Sequence, residues 1–236
     1  MRGIRAGLIG IVALLVGTNG CGVNFYSGRP SDVQRIKELS GELDRIKSQK
    51  DVEAQQLKEA QTLLEQRLQK EIADKQVKLE MAERGLILTF VAEVLFDSGK
   101  ATIRPEGKGT LSKVASVIQE KVSDREIGIE GHTDNEPIKH SGWKSNWELS
   151  TARATSVLHV LEQCGVNPKH LVASGYGEQR PVASNAATEG RQKNRRVEIV
   201  ILPKKLTKAE QAVIRRARGS TEPGVAGKAR SLEEYK

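Results

Sequence analysis

"EGHTDNEPIKHSGWKSNWELSTARA", Glu130 to Ala154, runs from the end of a strand through a polar loop into a helix. Just upstream, Ile127 and Ile129 alternate with smaller or polar neighbours, the period of a half-buried strand. Downstream, Asn146 is a residue type that caps helices, and Trp147, Ala154, Leu158 and Leu161 form an apolar stripe. Asp134 stands at the mouth of the loop and Arg153 inside the helix. Opposite charges delivered from two elements either face each other or receive a zwitterionic guest.

The flanking sequence repeats this alternation of strands and helices. "LILTFVAEVLF" (86–96) places Leu86, Leu88, Phe90, Ala92, Val94 and Phe96 on one face of a strand. "DSGKATIRPEG" follows as a loop, with Pro105 at the first helical turn, where proline is tolerated. Leu111, Val114, Ala115 and Ile118 then mark an amphipathic helix. Gly165 stops the helix that begins at Asn146, and Pro168 prevents its resumption. "LVASGYG" (171–177) reads as a third strand and "RRVEIVIL" (195–202) as a fourth. Together these elements predict a two-layer α/β sandwich.

Residues 31–84 read differently. They contain one glycine and no proline, and their charges alternate in sign. Leu39, Leu43 and Ile46, then Leu57, Leu64, Leu68, Ile72 and Leu79, sit near helical spacing, whereas Lys50 and Glu53 interrupt the seam. The pattern predicts a long helical spacer, at about 1.5 Å per residue, whose seam is too irregular for a regular left-handed supercoil. A monomeric spacer and a weak coiled coil that joins two copies both remain open.

The N-terminus begins with a short basic segment, Met1 to Arg5, followed by an apolar run from Ala6 to Gly17. That run has signal-peptide length and falls short of the roughly 20 residues a membrane span needs. "GTNGC" ends at Cys21 and resembles a bacterial lipobox, in which the cysteine is lipidated and becomes the mature N-terminus. Thr18 and Asn19 depart from the residues such motifs favour. Lipidation at Cys21 is the expectation, with an ordinary cleaved signal peptide as the alternative. Gly22 after the cysteine is compatible with passage to the outer membrane. The second cysteine, Cys164, is expected as a lone thiol, and a Cys21–Cys164 disulfide stays open.

A formal charge of +8 invites a nucleic-acid reading. The excess gathers in the last thirty-odd residues, with Lys204, Lys205 and Arg215, Arg216 and Arg218, and no recognition motif holds it. No nucleic-acid partner is expected. With 37% hydrophobic and 3% aromatic residues, the compact core should occupy only part of the chain.

Five ordered motifs carry a resemblance: "LFDSGKATIRPEG", "GHTDN", "NWELSTARA", "SGYGEQRPVASN" and "GRQKNRRVEIVI". In order and spacing they resemble the OmpA-like peptidoglycan-binding domain, and the long loop before Asn146 is most similar to the flagellar-stator branch of that family. The resemblance implies a βαβαββ domain that holds diaminopimelate of the peptidoglycan stem peptide without chemistry. By that resemblance Asp134 would accept the ligand ammonium and Arg153 would clamp its carboxylate with a planar fork. Thr133 and Asn135, with Asn146 and Leu149, would add neutral contacts, and Asp97 and Arg196 would line the rim. The implied organisation is a signal peptide over 1–20, a lipid-anchor linker over 21–30 and a helical spacer over 31–84. The binding domain follows over 86–203 and a basic, disordered tail over 204–236, with a short helix at 207–218. The whole reads as an outer-membrane lipoprotein facing the periplasm of a Gram-negative bacterium.

Other chemistries fit worse. His132, Asp134 and nearby His140 lack the further ligands of a zinc site, so no metal or cofactor is expected. Ser141, Ser145 and Ser150 lie near histidines without a nucleophile-elbow motif, so no enzyme is expected. A stator subunit would need an acidic residue within a membrane span, and residues 1–20 contain none. Trp143 and Trp147 fit the core or a cleft wall equally well.

Overall fold

The computed structural model describes residues 30–139 and 142–220. The expected signal peptide, Cys21, the linker through residue 29, His140, Ser141 and the tail beyond residue 220 lie outside the described residues. The chain divides into two units, Met1–Glu38 and Leu39–Lys236, and the sheet and the site belong to the second.

Helix α1 spans Pro30–Arg67 and α2 Gln69–Ala73. Strands β1 (Val77–Ala82) and β2 (Gly85–Val91) form a hairpin, followed by α3 (Ala92–Leu95) and α4 (Pro105–Lys121). Then come β3 (Ile127–His132), α5 (Asn146–Gln163), a 3-10 turn at Pro168–His170 and β4 (Leu171–Gly175). The described chain closes with α6 (Thr188–Asn194), β5 (Arg196–Ile201) and α7 (Lys208–Ser220). The sheet order is β1-β2-β5-β3-β4, antiparallel except for the β3–β4 pair. This is the expected α/β sandwich with a long helix before it.

Strand alternation turns one face of the sheet to the helices. Leu86, Leu88, Phe90, Ile127, Ile129, Val197, Ile199 and Ile201 are fully buried there. They meet Leu111, Val114, Ala115 and Ile118 of α4, and Ala154, Val157 and Leu161 of α5, in one core. Burial of this kind stabilises by about 25 cal/mol per Å² of apolar surface removed from water. Gly165, at φ 93°, ends α5 in the left-handed region, as a helix-stopping glycine does.

Several expectations are corrected. The spacer helix does not continue to residue 84. Lys75 adopts φ 57°, a conformation usually left to glycine or asparagine, and the chain reverses into β1, a fifth strand at the sheet edge. Nor is the later part of α1 free in solvent. Leu57, Ala60, Leu64 and Leu68 enter the domain core, and Arg67 reaches Ser116 Oγ and Glu120 on α4, each at 2.6 Å. Lys50 and Glu53, which interrupt the seam, pair with each other at 2.8 Å, and Lys50 also donates to the Lys204 carbonyl at 2.9 Å. The seam packs largely against the domain itself.

Strand β2 ends at Val91, five residues before the expected limit, and the chain coils into α3. Asn146 is the first residue of α5. The cap is Ser145, whose hydroxyl accepts from the Glu148 amide at 3.3 Å. Trp147 is 51% exposed, so the buried stripe of α5 runs through Ser150, Arg153, Ala154, Val157 and Leu161 instead. Cys164 carries a free, half-buried thiol. The expected helix near 207–218 is present as α7. Among the described residues, no helix is long and apolar enough to cross a membrane.

Candidate functional site

Helix α3, the loop before α4, the loop after β3, the first turns of α5 and Arg195 just before β5 enclose a cavity of about 680 Å³. Asp97, Thr133, Asp134, Asn146, Leu149 and Arg153 all line it. Six of the eight candidate ligand-binding residues are therefore brought together. Asn135 is exposed and outside the lining, and Arg196 faces elsewhere.

Arg153 is 4% exposed and projects from the buried side of α5. Its guanidinium lies 5.2 Å from the centroid of Phe96, and its Nε donates to the Lys100 carbonyl at 3.0 Å. The stack and this single bond fix the plane of the fork. Among the described residues, no hydrogen bond takes up its Nη1 or Nη2. Burial lowers its pKa, an effect that Arg195 reinforces and that the carboxylates of Glu93 and Asp134 oppose. Arg153 remains a cation held in a half-dry cleft.

Asp134 does not pair with Arg153. One of its oxygens accepts from the Glu136 amide at 3.2 Å and the other from Arg195 Nη1 at 2.7 Å. Arg195 also grips Glu93, at 2.5 and 2.7 Å. Burial alone would lower the Arg195 pKa, but its bonds to Asp134 and Glu93 raise it. The short helix α3 supplies this geometry, because coiling after Val91 turns Glu93 and Phe96 toward the cavity. Asn146 ties the rim together, with its Nδ2 reaching the carbonyls of Asp134 at 3.4 Å and Glu136 at 3.1 Å and the Glu178 carboxylate at 2.8 Å. Trp143 donates to the Gly99 carbonyl at 2.9 Å and so joins the long loop to the opposite rim.

Glu93, Phe96 and Arg195 are site residues that the sequence pattern does not single out. Strand alternation holds the signal for Arg195: Val197, Ile199 and Ile201 face the helices, so an arginine two residues before Val197 shares their side. Arg196, one residue later, points to the opposite face, where its Nε bonds Glu198 at 2.7 Å and its Nη groups reach the Arg180 carbonyl at 3.2 Å. Buried Asn194 fixes this divergence. Its side chain makes four bonds of 2.8–3.0 Å to Val182, Ala183 and Asn185, pinning that loop beside the start of β5.

His132, 1% exposed, lies on that opposite face. Burial, reinforced by Arg196, Arg180 and Arg84, lowers its pKa to about 3. Between an unfolded value of about 6.5 and the native value, only the unfolded state binds this proton. Stability should therefore be undiminished above pH 6.5 and fall as the pH drops toward 3, by at most about 1.4 kcal/mol per unit from this group. Urea unfolding at pH 7 and pH 4.5 checks this, since His132→Asn should flatten the dependence.

The OmpA family model matches residues 95–195, the segment that carries α4, α5 and most of the cleft. Motility protein B of Bacillus subtilis is 38% identical over 200 residues, covering 79% of this chain and 75% of that protein. Probable lipoprotein YiaD of Escherichia coli is 38% identical over 119 residues, 50% of this chain and 52% of that one. Among solved structures, the cell wall anchor of the T6SS from Pseudomonas aeruginosa is similar at a TM-score of 0.55 and 33% identity, covering 60% of this chain and 97% of that one.

Proposed function

Because the chain belongs to the OmpA family, we propose that its cleft binds peptidoglycan by holding the zwitterionic end of diaminopimelate in the stem peptide. The observation that carries this reading is the buried Arg153 fork, fixed at Nε and, among the described residues, unclaimed at both Nη groups, facing a cavity also lined by Asp134 and Glu93. A carboxylate entering the cleft would take two parallel bonds from the fork. The adjacent ammonium would then lie toward Asp134 and Glu93, which already share one cation, Arg195. The arrangement favours a carbon bearing both charges: a plain amine leaves the buried Arg153 fork unpaired, and a plain acid forgoes the attraction of Asp134 and Glu93. Thr133, Asn146 and Leu149 shape the floor and rim, and Asp97 stands at the mouth. The protein performs no chemistry on the ligand.

In this reading the chain is an envelope tether. Cys21 carries the lipid that fixes it to the outer membrane, α1 gives reach, and the domain grips the wall from the periplasm. A wall-anchor neighbour and a lipoprotein relative support the reading. Co-sedimentation with purified sacculi tests the site: Asp134→Ala should leave most of the protein in the supernatant, and retention equal to wild type would refute it. Palmitate labelling tests the anchor, which predicts label on the wild type and none on Cys21→Ser. One observation favours a second role, since similarity to motility protein B extends over 79% of the chain, well beyond the family domain. A motor- or secretion-associated accessory would use the same cleft for the wall. Pairing of two copies through the exposed part of α1 would add avidity in either role.

A further inference from the structure

On the sheet face away from the cleft, β3 and β5 set Glu130 directly opposite Glu198, and His132 opposite Arg196. Two carboxylates facing across a strand pair repel. Arg84, from the turn between β1 and β2, relieves this. Its Nη1 donates to both oxygens of Glu130 at 2.9 Å, and its Nη2 bonds one oxygen of Glu198. The other Glu198 oxygen takes Arg196 Nε at 2.7 Å.

His132 gains nothing from this arrangement. It is stacked on Tyr176 at 5.3 Å, whose ring lies 3.5 Å from the Arg180 guanidinium. Among the described residues, neither imidazole nitrogen has a hydrogen-bond partner, although the residue is 1% exposed. Its Nε2 stands 4.0 Å from a Glu130 oxygen, and one ligand-type atom from each of Glu130, His132 and Glu198 lies within 4.8 Å of the other two. Buried polar atoms without partners are costly and rare, and here one imidazole nitrogen lies within 4.8 Å of a carboxylate oxygen from each of two residues.

We propose that Glu130, His132 and Glu198 form a site for a divalent transition-metal ion of the zinc type, for which the Arg84 guanidinium is a built-in competitor. One imidazole and two carboxylates suit zinc, leaving the fourth tetrahedral position to water. With metal–ligand bonds of about 2.0–2.2 Å, ligand atoms stand roughly 3.4 Å apart, so the three side chains need to close by about 1 Å. Burial keeps the imidazole neutral at pH 7, so its lone pair is free of a competing proton. Entry requires Arg84 to swing away, and its side chain is 41% exposed. Arg180 and Arg196 stay beside the site and hold the affinity of the native chain down. A bound ion would staple β3 to β5 beneath the cleft. Spacing in the sequence pairs His132 with Asp134, but Asp134 faces the cavity, and Glu198 is 66 positions away from His132.

Isothermal titration of the full chain with zinc chloride tests this, with the thermal midpoint as a second readout. Arg84→Ala removes the competitor from an exposed position and should bind one zinc per chain at least about tenfold more tightly than wild type. Adding His132→Asn to Arg84→Ala should lower that affinity at least about tenfold. Should that double variant fail to fold, Glu130→Gln on the Arg84→Ala background serves the same purpose. Zinc binding to Arg84→Ala that is absent, or that survives loss of the ligand residue unchanged, overturns the site.

Discussion

Gly131→Ala is expected to lower stability by about 3 kcal/mol, at the upper end for overpacking, and to abolish wall binding. A Cβ at Gly131 would stand 2.0 Å from the carbonyl oxygen of Ser150 and 2.8 Å from its carbon. Both atoms are helix backbone, so no side chain can turn aside to make room. Gly175, the register partner of Gly131 on β4, is just as tight, with Thr151 Oγ1 at 2.1 Å and the Thr151 amide nitrogen at 2.5 Å from an added Cβ. The two paired glycines form the seat on which the first turns of α5 rest. Adding a methyl group at either lifts the helix that carries Leu149 and Arg153, so stability and recognition fall together. Urea unfolding and sacculus co-sedimentation of the same preparation check this, and an unchanged midpoint would show that α5 does not rest on that seat.

The second large effect is expected at Arg153. Arg153→Ala should weaken sacculus binding by at least about a hundredfold, because the ligand carboxylate would be desolvated without a partner. Stability should change far less, by about 1–2 kcal/mol, since truncation removes only the stack on Phe96 and the bond to the Lys100 carbonyl. Arg153→Lys should not restore binding. A lysine supplies a point charge and cannot keep the bidentate geometry. If lysine rescues affinity to wild-type level, the planar-fork account fails even though a charge is needed there.

Much of the fold is legible in the chain, for identifiable reasons. The apolar residues of α4 and of β3 follow one period each, and they pack where that period puts them. Asp134 and Arg153 stand out as opposite charges on consecutive elements, and both reach the cleft. The features that stay hidden lack local signals. The hairpin strand β1 is built mostly from Lys, Leu, Glu, Met and Ala, residues that favour helix, and its break rests on Lys75 in a glycine-like conformation. The edge position, chosen by pairing with β2, overrides propensity there. Helix α3 is hidden because "LILTFVAEVLF" keeps alternating beyond the residue where the chain stops being extended. Trp147 fits the apolar stripe by spacing but projects outward, since Ser150 and Arg153 take the buried side. The pairing of Asp134 with Arg195 joins residues 61 positions apart, and only strand parity could choose Arg195 over Arg196.

The central claim is that one cleft reads a single carbon carrying both an ammonium and a carboxylate. Calorimetric titration of the folded chain with two stem peptides tests it most directly. One carries meso-diaminopimelate at its third position, and the other carries lysine there, which keeps the amine and lacks the carboxylate. The account predicts binding of the diaminopimelate peptide, with the lysine peptide at least about tenfold weaker and the difference lost in Arg153→Ala. Equal affinity for the two peptides in the wild-type chain would contradict it.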